Sequence, residues 1–354
     1  MSPRPFSALP LDASFLRRYR EFHGLPPVYG YFVKRVSHGF LVTVSGRRPR
    51  LPNNDGRHLH ALDSRHGRVL FHKFGEDHSL LVVGKKTEEV TLPENLSFGE
   101  NNWTATVFCD SPGCPHLRCN GGPFTVALLH TDLGVISILP GSATGAWTGA
   151  AAMTAPNNAD ARVEKRPATL AGKTILFTIS DTRILAYELG AEAEEHARLR
   201  LIQTPPLLKD NRGTAIVPVA DGRKVCLACM RDALCIELWE REVRAGAGAD
   251  WSDCGVVALP REGLRLLGFS EIPAALFISP EKTGSLGMMD VETREWEEFF
   301  MPFDTDAPIS IIMAFRRYMN LQAFCLPYYR PAAFGTVFAT AWRELQATDD
   351  VSSS

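Results

Sequence analysis

ALCIELWEREVRAGAGADWSDCGVVALP, residues 233–260, is an apolar strand, a polar turn, a second strand and a closing proline. The same phrase returns as LLVVGKKTEEVTLP (80–93), VISILPGSATGAWTG (135–149), RILAYELGAEAEEHARLRLIQTP (183–205) and GSLGMMDVETREWEEFFMP (284–302). Trp147, Trp251 and Trp296 follow the turn in three copies, and prolines close four of them at 93, 205, 260 and 302. The steps between these prolines are about 112, 55 and 42 residues, so the first step holds two units with a boundary near Gly149. A lone hairpin cannot bury its apolar face, whereas sheets stacked around a ring bury each face against the next. A period in the forties to fifties therefore predicts an all-β chain folded as a β-propeller of four-stranded blades.

Working outward, one or two further strands precede each phrase. They lie in 60–73, in 104–110 with 123–130, and in 168–180, 215–230 and 264–279. Asp221-Gly222 is a strong hairpin turn and Ala171-Gly172-Lys173 a plausible one, so each unit holds about four strands. Residues 309–329 supply two more strands without the phrase, and strands between 31 and 45 are expected to complete their blade and close the ring. This gives six blades, with five and seven compatible with the same spacing. Ahead of the propeller, Phe15, Leu16, Tyr19 and Phe22 recur at helical spacing over 12–24, between a cap at Asp12 or Ser14 and a stop at Gly24 and Pro26-Pro27. The expected organisation is an N-terminal helix and linker (1–28), the propeller (29–335), and a C-terminal segment with a disordered tail (336–354).

Composition narrows the function. The 38 basic residues nearly balance the 40 acidic ones, which argues against a nucleic-acid or membrane-surface binder. No apolar run is long enough for a signal peptide or a membrane span, so the expected location is intracellular, in cytoplasm or nucleus. The glycosylation-type triplets at Asn95 and Asn102 lose their meaning there. Eight cysteines are too sparse for a disulfide framework.

FLRRYREFHGLPP (15–27), ALDSRHGRVLF (61–71), CPHLRCNGGPFTVALL (114–129) and the TGAWT turn (144–148) occur in an order that resembles the C-terminal domain of plant F-box proteins of the type abundant in grasses. The resemblance covers about residues 8–330. It implies an F-box-associated β-propeller that recruits a protein for ubiquitination, while the F-box docks on the adaptor of a cullin-type ubiquitin ligase. About a dozen residues precede the first of these stretches, too few for an F-box, so adaptor binding is expected only if an F-box is present in the full-length product.

Motifs that would carry chemistry have bland readings beside them. Cys109, Cys114, His116 and Cys119 lie within eleven residues and have zinc-ligand chemistry, but their spacing also suits a loop whose thiols pack as small hydrophobes. Cys226 and Cys229 spell a redox motif, yet they sit in the apolar strand VCLACM, where residues three apart face opposite sides. Cys235, Cys254 and Cys325 read as packing residues. His58, His60 and His66 are the densest histidine group, with structural hydrogen bonding as the default. Glu237, Glu240 and Glu242, and then Glu292, Glu295, Glu297 and Glu298, stand beside Arg241 and Arg294 and read as solvated strand edges. Arg47, Arg48 and Arg50 form a basic loop. The doublet Gly121-Gly122 resembles that of kelch blades but occurs once.

The expectation is a protein-binding module and not an enzyme, with no catalytic residue, metal or cofactor. Its partner is a protein target for degradation. Loops leaving the outer strands (94–103, 150–160, 206–212, 261–263 and 303–307) should share one face. Trp103, Asn157, Asn158, Lys209, Arg212, Asp304 and Asp306 are its candidate contact residues. For Trp103 a second reading stands equally, a wedge in the core between blades. A scaffold unconnected to ubiquitin fits the same fold. So does a propeller glycosidase or lactonase, which would ring its channel with carboxylates or histidines.

Overall fold

In the computed structural model, 23 strands and no α-helix are found among the described residues. These are 28–35, 39–43 and the range 59–316 apart from 74–78, 85, 100–101, 111–120, 133–134, 143–145, 148–150, 155–162, 164–165, 181–182, 190–198, 206–212, 220–221, 245–249, 272–273, 281–284 and 301–308. The helix expected over 12–24 and the segment boundary at 335 lie outside them.

Blade 1 consists of β3 (Leu59–Arg65), β4 (Arg68–Lys73), β5 (Ser79–Val83) and β6 (Thr87–Thr91). Blade 2 is β7 (Trp103–Cys109), β8 (Phe124–Asp132), β9 (Val135–Ser142) and β10 (Ala151–Thr154). Blade 3 is β11 (Thr169–Ala171), β12 (Thr174–Ser180), β13 (Arg183–Glu188) and β14 (Leu199–Gln203). Blade 4 is β15 (Thr214–Val219), β16 (Lys224–Met230), β17 (Cys235–Glu242) and β18 (Ser252–Ala258). Blade 5 is β19 (Leu264–Glu271), β20 (Ala274–Pro280), β21 (Ser285–Asp290) and β22 (Trp296–Phe300). Within every blade, sequential strands pair antiparallel. The repeated phrase is the outer hairpin, strands three and four, in blades 1, 3, 4 and 5; in blade 2 the phrase 135–149 holds strand three, and strand four follows it at Ala151–Thr154, past the boundary expected near Gly149.

Among the described residues five four-stranded blades form, not the six expected. The strands assigned to a sixth, β1 (Val28–Arg35), β2 (Gly39–Thr43) and β23 (Ile309–Arg316), do pair as foreseen, with β1 antiparallel to both β2 and β23. They make three strands, and β23 joins β19 in parallel through Gly268↔Ile312 and Phe269↔Met313. That ladder merges them with blade 5 into one seven-stranded sheet. Inner strands pack β3 on β7, β11 on β15, β15 on β19, β19 on β23 and β23 back on β3, and a shared apolar core joins blade 2 to blade 3, which completes the ring.

Burial falls from the axis outward, which explains the residue patterns. Inner and second strands such as β7 and β16 are buried along nearly their whole length, because neighbouring blades cover both faces. Continuous apolar runs result, not alternation. Outer strands such as β6 and β18 are largely exposed and carry polar residues. Between blades 2 and 3 lie Phe108, Leu129, Ile136, Ile138, Phe177 and Leu185, and between blades 4 and 5 lie Val217, Ile236, Leu264, Leu276 and Ile278. Each fully buried side chain of this size contributes about 1.5–3 kcal/mol.

Two of the tryptophans after the turns are fasteners between blades, and the third packs within its own blade. Trp147 donates its indole N–H to Thr91 O at 2.8 Å, and Trp251 donates to Gln203 O at 2.8 Å. Each acceptor is the last residue of the preceding blade's outer strand. Trp296 lies across Gly287, where a Cβ would fall 2.0 Å from the indole ring, so only glycine fits beneath it.

Candidate functional site

In an antiparallel four-stranded blade, the connection from the outer strand to the next inner strand and the turn between strands two and three emerge on one face. The described parts of that face include 92–99 and 102, leading from blade 1 to blade 2, and 259–263, leading from blade 4 to blade 5. Arg261 and Glu262 are exposed on the latter.

The connection between blades 1 and 2 is the more constructed of the two. Asn102 donates from Nδ2 to Ser97 O at 2.8 Å and accepts from Gly99 N–H through Oδ1 at 2.7 Å. Its own carbonyl accepts from Thr131 N–H at 2.7 Å and from Thr131 Oγ1 at 3.2 Å, both on β8. From the same strand, His130 Nε2 donates to Ser97 O at 2.9 Å. A carbonyl oxygen only accepts, so His130 carries a proton on Nε2. Below the loop, Phe98 meets Trp103 edge-on at 5.3 Å and His130 at 5.9 Å, and His72 meets Trp103 at 4.7 Å. Glu94, Asn95 and Ser97 remain exposed above it.

Trp103 is therefore not a surface anchor. It is 1% exposed, because β7 is an inner strand packed on both faces and its ring fills the seam between blades 1 and 2. The wedge reading is the one the structure adopts. Asn157, Asn158, Lys209, Arg212, Asp304 and Asp306 lie outside the described residues.

The central channel is crossed by buried charge. Asp63, near the end of β3, accepts from Thr106 Oγ1, from Val107 N–H at 3.0 Å and from Ser64 N–H at 2.8 Å. Arg65 approaches Asp63 at 3.6 Å and donates to Ala168 O of blade 3 at 2.6 Å. Blades 1 and 3 are not neighbours, so this side chain runs through the ring. Thr169 Oγ1 then donates to Ile216 O at 2.6 Å, tying blade 3 to blade 4. Arg68 donates to Gly122 O at 2.7 Å beside the Phe124 ring. These groups serve as cross-links.

The histidines separate in the same way. His60 and His66 stand at opposite ends of β3, about 20 Å apart at strand rise. His66 ends the strand with φ 52° and its Nδ1 accepts from Cys109 N–H at 3.3 Å. His58, Cys114, His116 and Cys119 lie outside the described residues. Among those described, no group of three or more His, Cys, Asp and Glu is placed to hold a metal ion.

Cys226 and Cys229 are free and buried in β16. Burial first, then nearby Cys254 and Glu240, pushes the Cys226 thiol up to about 12. Burial followed by Glu237 pushes Cys229 up to about 12. Both are packing residues at physiological pH. The acidic group on β17 is partly paired, Glu240 with Lys224 at 3.2 Å and Glu237 with Arg231 at 3.4 Å. Arg241, expected on a solvated edge, is 4% exposed and within electrostatic reach of Arg200 on blade 3. Burial and then neighbouring Arg200 lower its pKa. Reading the strand as an edge misplaced it, since β17 is the third strand and β18 covers it.

His130 and Asp63 were not singled out in the sequence, and Asn102 only as a glycosylation-type triplet. Nothing local distinguishes them, and only the register placing Trp103 opposite His130 brings loop and strand together.

No protein-family model matches the chain, and no curated protein matches it. Solved structures of similar shape include a YCF48 structure with a bound D1 peptide, at TM-score 0.43 and 13% identity over 81% of this chain and 92% of that one. A Lactobacillus plantarum protein has TM-score 0.43 and 8% identity over 81% and 99%. A chain of the mitotic checkpoint complex has TM-score 0.38 and 11% identity over 68% of this chain, which spans 64% of that one. The propeller assignment rests on sheet order and the inner-strand ring. Among the described residues no helix is long and apolar enough to cross a membrane.

Proposed function

We propose that the chain is a protein-binding propeller, the substrate-recruiting part of an F-box-type ubiquitin ligase subunit. The observation that carries the binding reading is the connection between blades 1 and 2. Its backbone is held by Asn102 and His130 while Glu94, Asn95 and Ser97 point outward. A loop already in one conformation loses little entropy when a partner docks. Arg65 running through the channel to Ala168 O favours recognition on the face over small-molecule chemistry in the bore. The ligase connection rests on the order of the four sequence stretches that resemble the F-box-associated domain.

The test is affinity capture with the full-length gene product, comparing wild type with Glu94→Arg/Asn95→Ala. Recovery of a cullin-ligase adaptor, together with a target that wild type retains and the double variant loses, supports the assignment. A target recovered without adaptor leaves a scaffold unconnected to ubiquitin. A target bound equally by both proteins removes this loop from the binding surface.

A further inference from the structure

Two carbonyl oxygens of the connecting loop have both lone pairs engaged, and every donor involved comes from Asn102 or from the end of β8. Ser97 O receives Asn102 Nδ2 and His130 Nε2, at 2.8 and 2.9 Å. Asn102 O receives Thr131 N–H and Thr131 Oγ1, at 2.7 and 3.2 Å. A fifth bond, Gly99 N–H to Asn102 Oδ1, closes the turn from the other side. His130 and Thr131 are adjacent on a strand and so point to opposite faces of blade 2. The first reaches the crest of the loop by its side chain, the second reaches its base by main chain and hydroxyl.

We infer that Asn102 and His130 are positioning residues, which hold segment 94–99 in the one conformation that a protein partner meets. This rests on the protein-binding reading for its function but not for its geometry. Asn102 supplies a donor and an acceptor from one amide, and no other side chain of that length offers both in a plane. His130 is 2% exposed, and its ring edge contacts Phe98, so the imidazole is fixed by packing before it bonds to Ser97. Blade 2 thereby sets the shape of a loop that begins on blade 1.

The hold is measurable without any partner. Amide hydrogen exchange on the full chain reads residues 97–102 separately from the blades. Asn102→Ala removes the acceptor of Gly99 N–H, and exchange in that peptide is expected to rise at least tenfold. His130→Phe keeps the ring and loses the donor, and should raise exchange there by roughly threefold to tenfold. His130→Gln restores a donor near the Nε2 position and should return exchange to within about twofold of wild type. In all three, strands β7 and β8 should keep wild-type protection. Wild-type exchange at 97–102 in Asn102→Ala overturns the inference. Equal loss of protection in β7, β8 and the loop overturns it too, because the residues would then be general stabilisers. Failure of the capture experiment with these exchange results intact would sink the binding function and leave the positioning role standing.

Discussion

Replacing Asp63 with alanine tests whether buried charge holds the ring together. The carboxylate side chain is 2% exposed and Arg65 4%, at 3.6 Å from one another. Alanine removes the acceptor for Thr106 Oγ1 and Val107 N–H, the links from blade 1 to the inner strand of blade 2. It also leaves Arg65 with its charge uncompensated by that partner. Removing one member of a buried pair costs about 3–5 kcal/mol, a large share of the roughly 5–15 kcal/mol that keeps a protein folded. Urea unfolding followed by fluorescence of the six tryptophans should show the loss as a lowered midpoint. The informative partner is Asp63→Ala/Arg65→Met, which removes both charges and restores apolar volume. It should recover at least half of the loss, since an apolar pair can replace a buried ionic pair at little cost. A shift of under about 1 kcal/mol in Asp63→Ala, or a double variant no more stable than the single, would refute the argument that the pair is coupled and desolvated.

Iodoacetamide at pH 8 should leave Cys226 and Cys229 unmodified in the native protein and label both in urea, because thiols raised to about 12 hold only about one thiolate in ten thousand at that pH. Mass mapping checks this, and native labelling at a free-thiol rate would contradict it. Gly222→Ala should destabilise more than Gly263→Ala by at least about 1 kcal/mol in urea melts. Both sites have positive φ, 77° and 74°, but a Cβ at 222 falls 2.6 Å from Gly172 N whereas at 263 it meets nothing within 4 Å. Glu89 is held below its usual 4.5, first by the hydrogen bond from Lys73 and then by that from Ser79. Its contribution is present above that value and lost as pH falls through the lower folded value. The pair is half exposed, so wild type should exceed Glu89→Gln by less than about 1 kcal/mol at pH 7, and the gap should narrow as pH falls below the ordinary carboxylate value.

Much of the fold was legible because a propeller repeats its outer hairpin. Strand, turn and strand recurred in 80–93, 183–205, 233–260 and 284–302, and each became strands three and four of a blade, while 135–149 held strand three of blade 2 and stopped short of its fourth strand at Ala151–Thr154. The tryptophans after the turns were visible, and the N–H bonds of Trp147 to Thr91 and of Trp251 to Gln203 explain two of them. Strand character in 31–45 and 309–329 was also visible. What it did not reveal was the parallel ladder to β19, which turns an expected sixth blade into an extension of the fifth. Pairing between chain segments so far apart leaves no periodic mark in either.

The candidate site was legible only as a place. Loop 94–103 could be assigned to the face from strand order, but Trp103 read equally as an exposed anchor and as a wedge. One aromatic residue at a strand start has the same appearance in both.

Local pattern determined strands, turns and their repetition, because apolar runs and turn residues act within a few positions of themselves. Tertiary structure alone decided that Trp103 is buried, that Arg65 runs through the ring to Ala168, and that His130 holds a loop beginning on another blade. Those outcomes depend on which strand lies opposite which, a property of register between segments and not of any segment by itself.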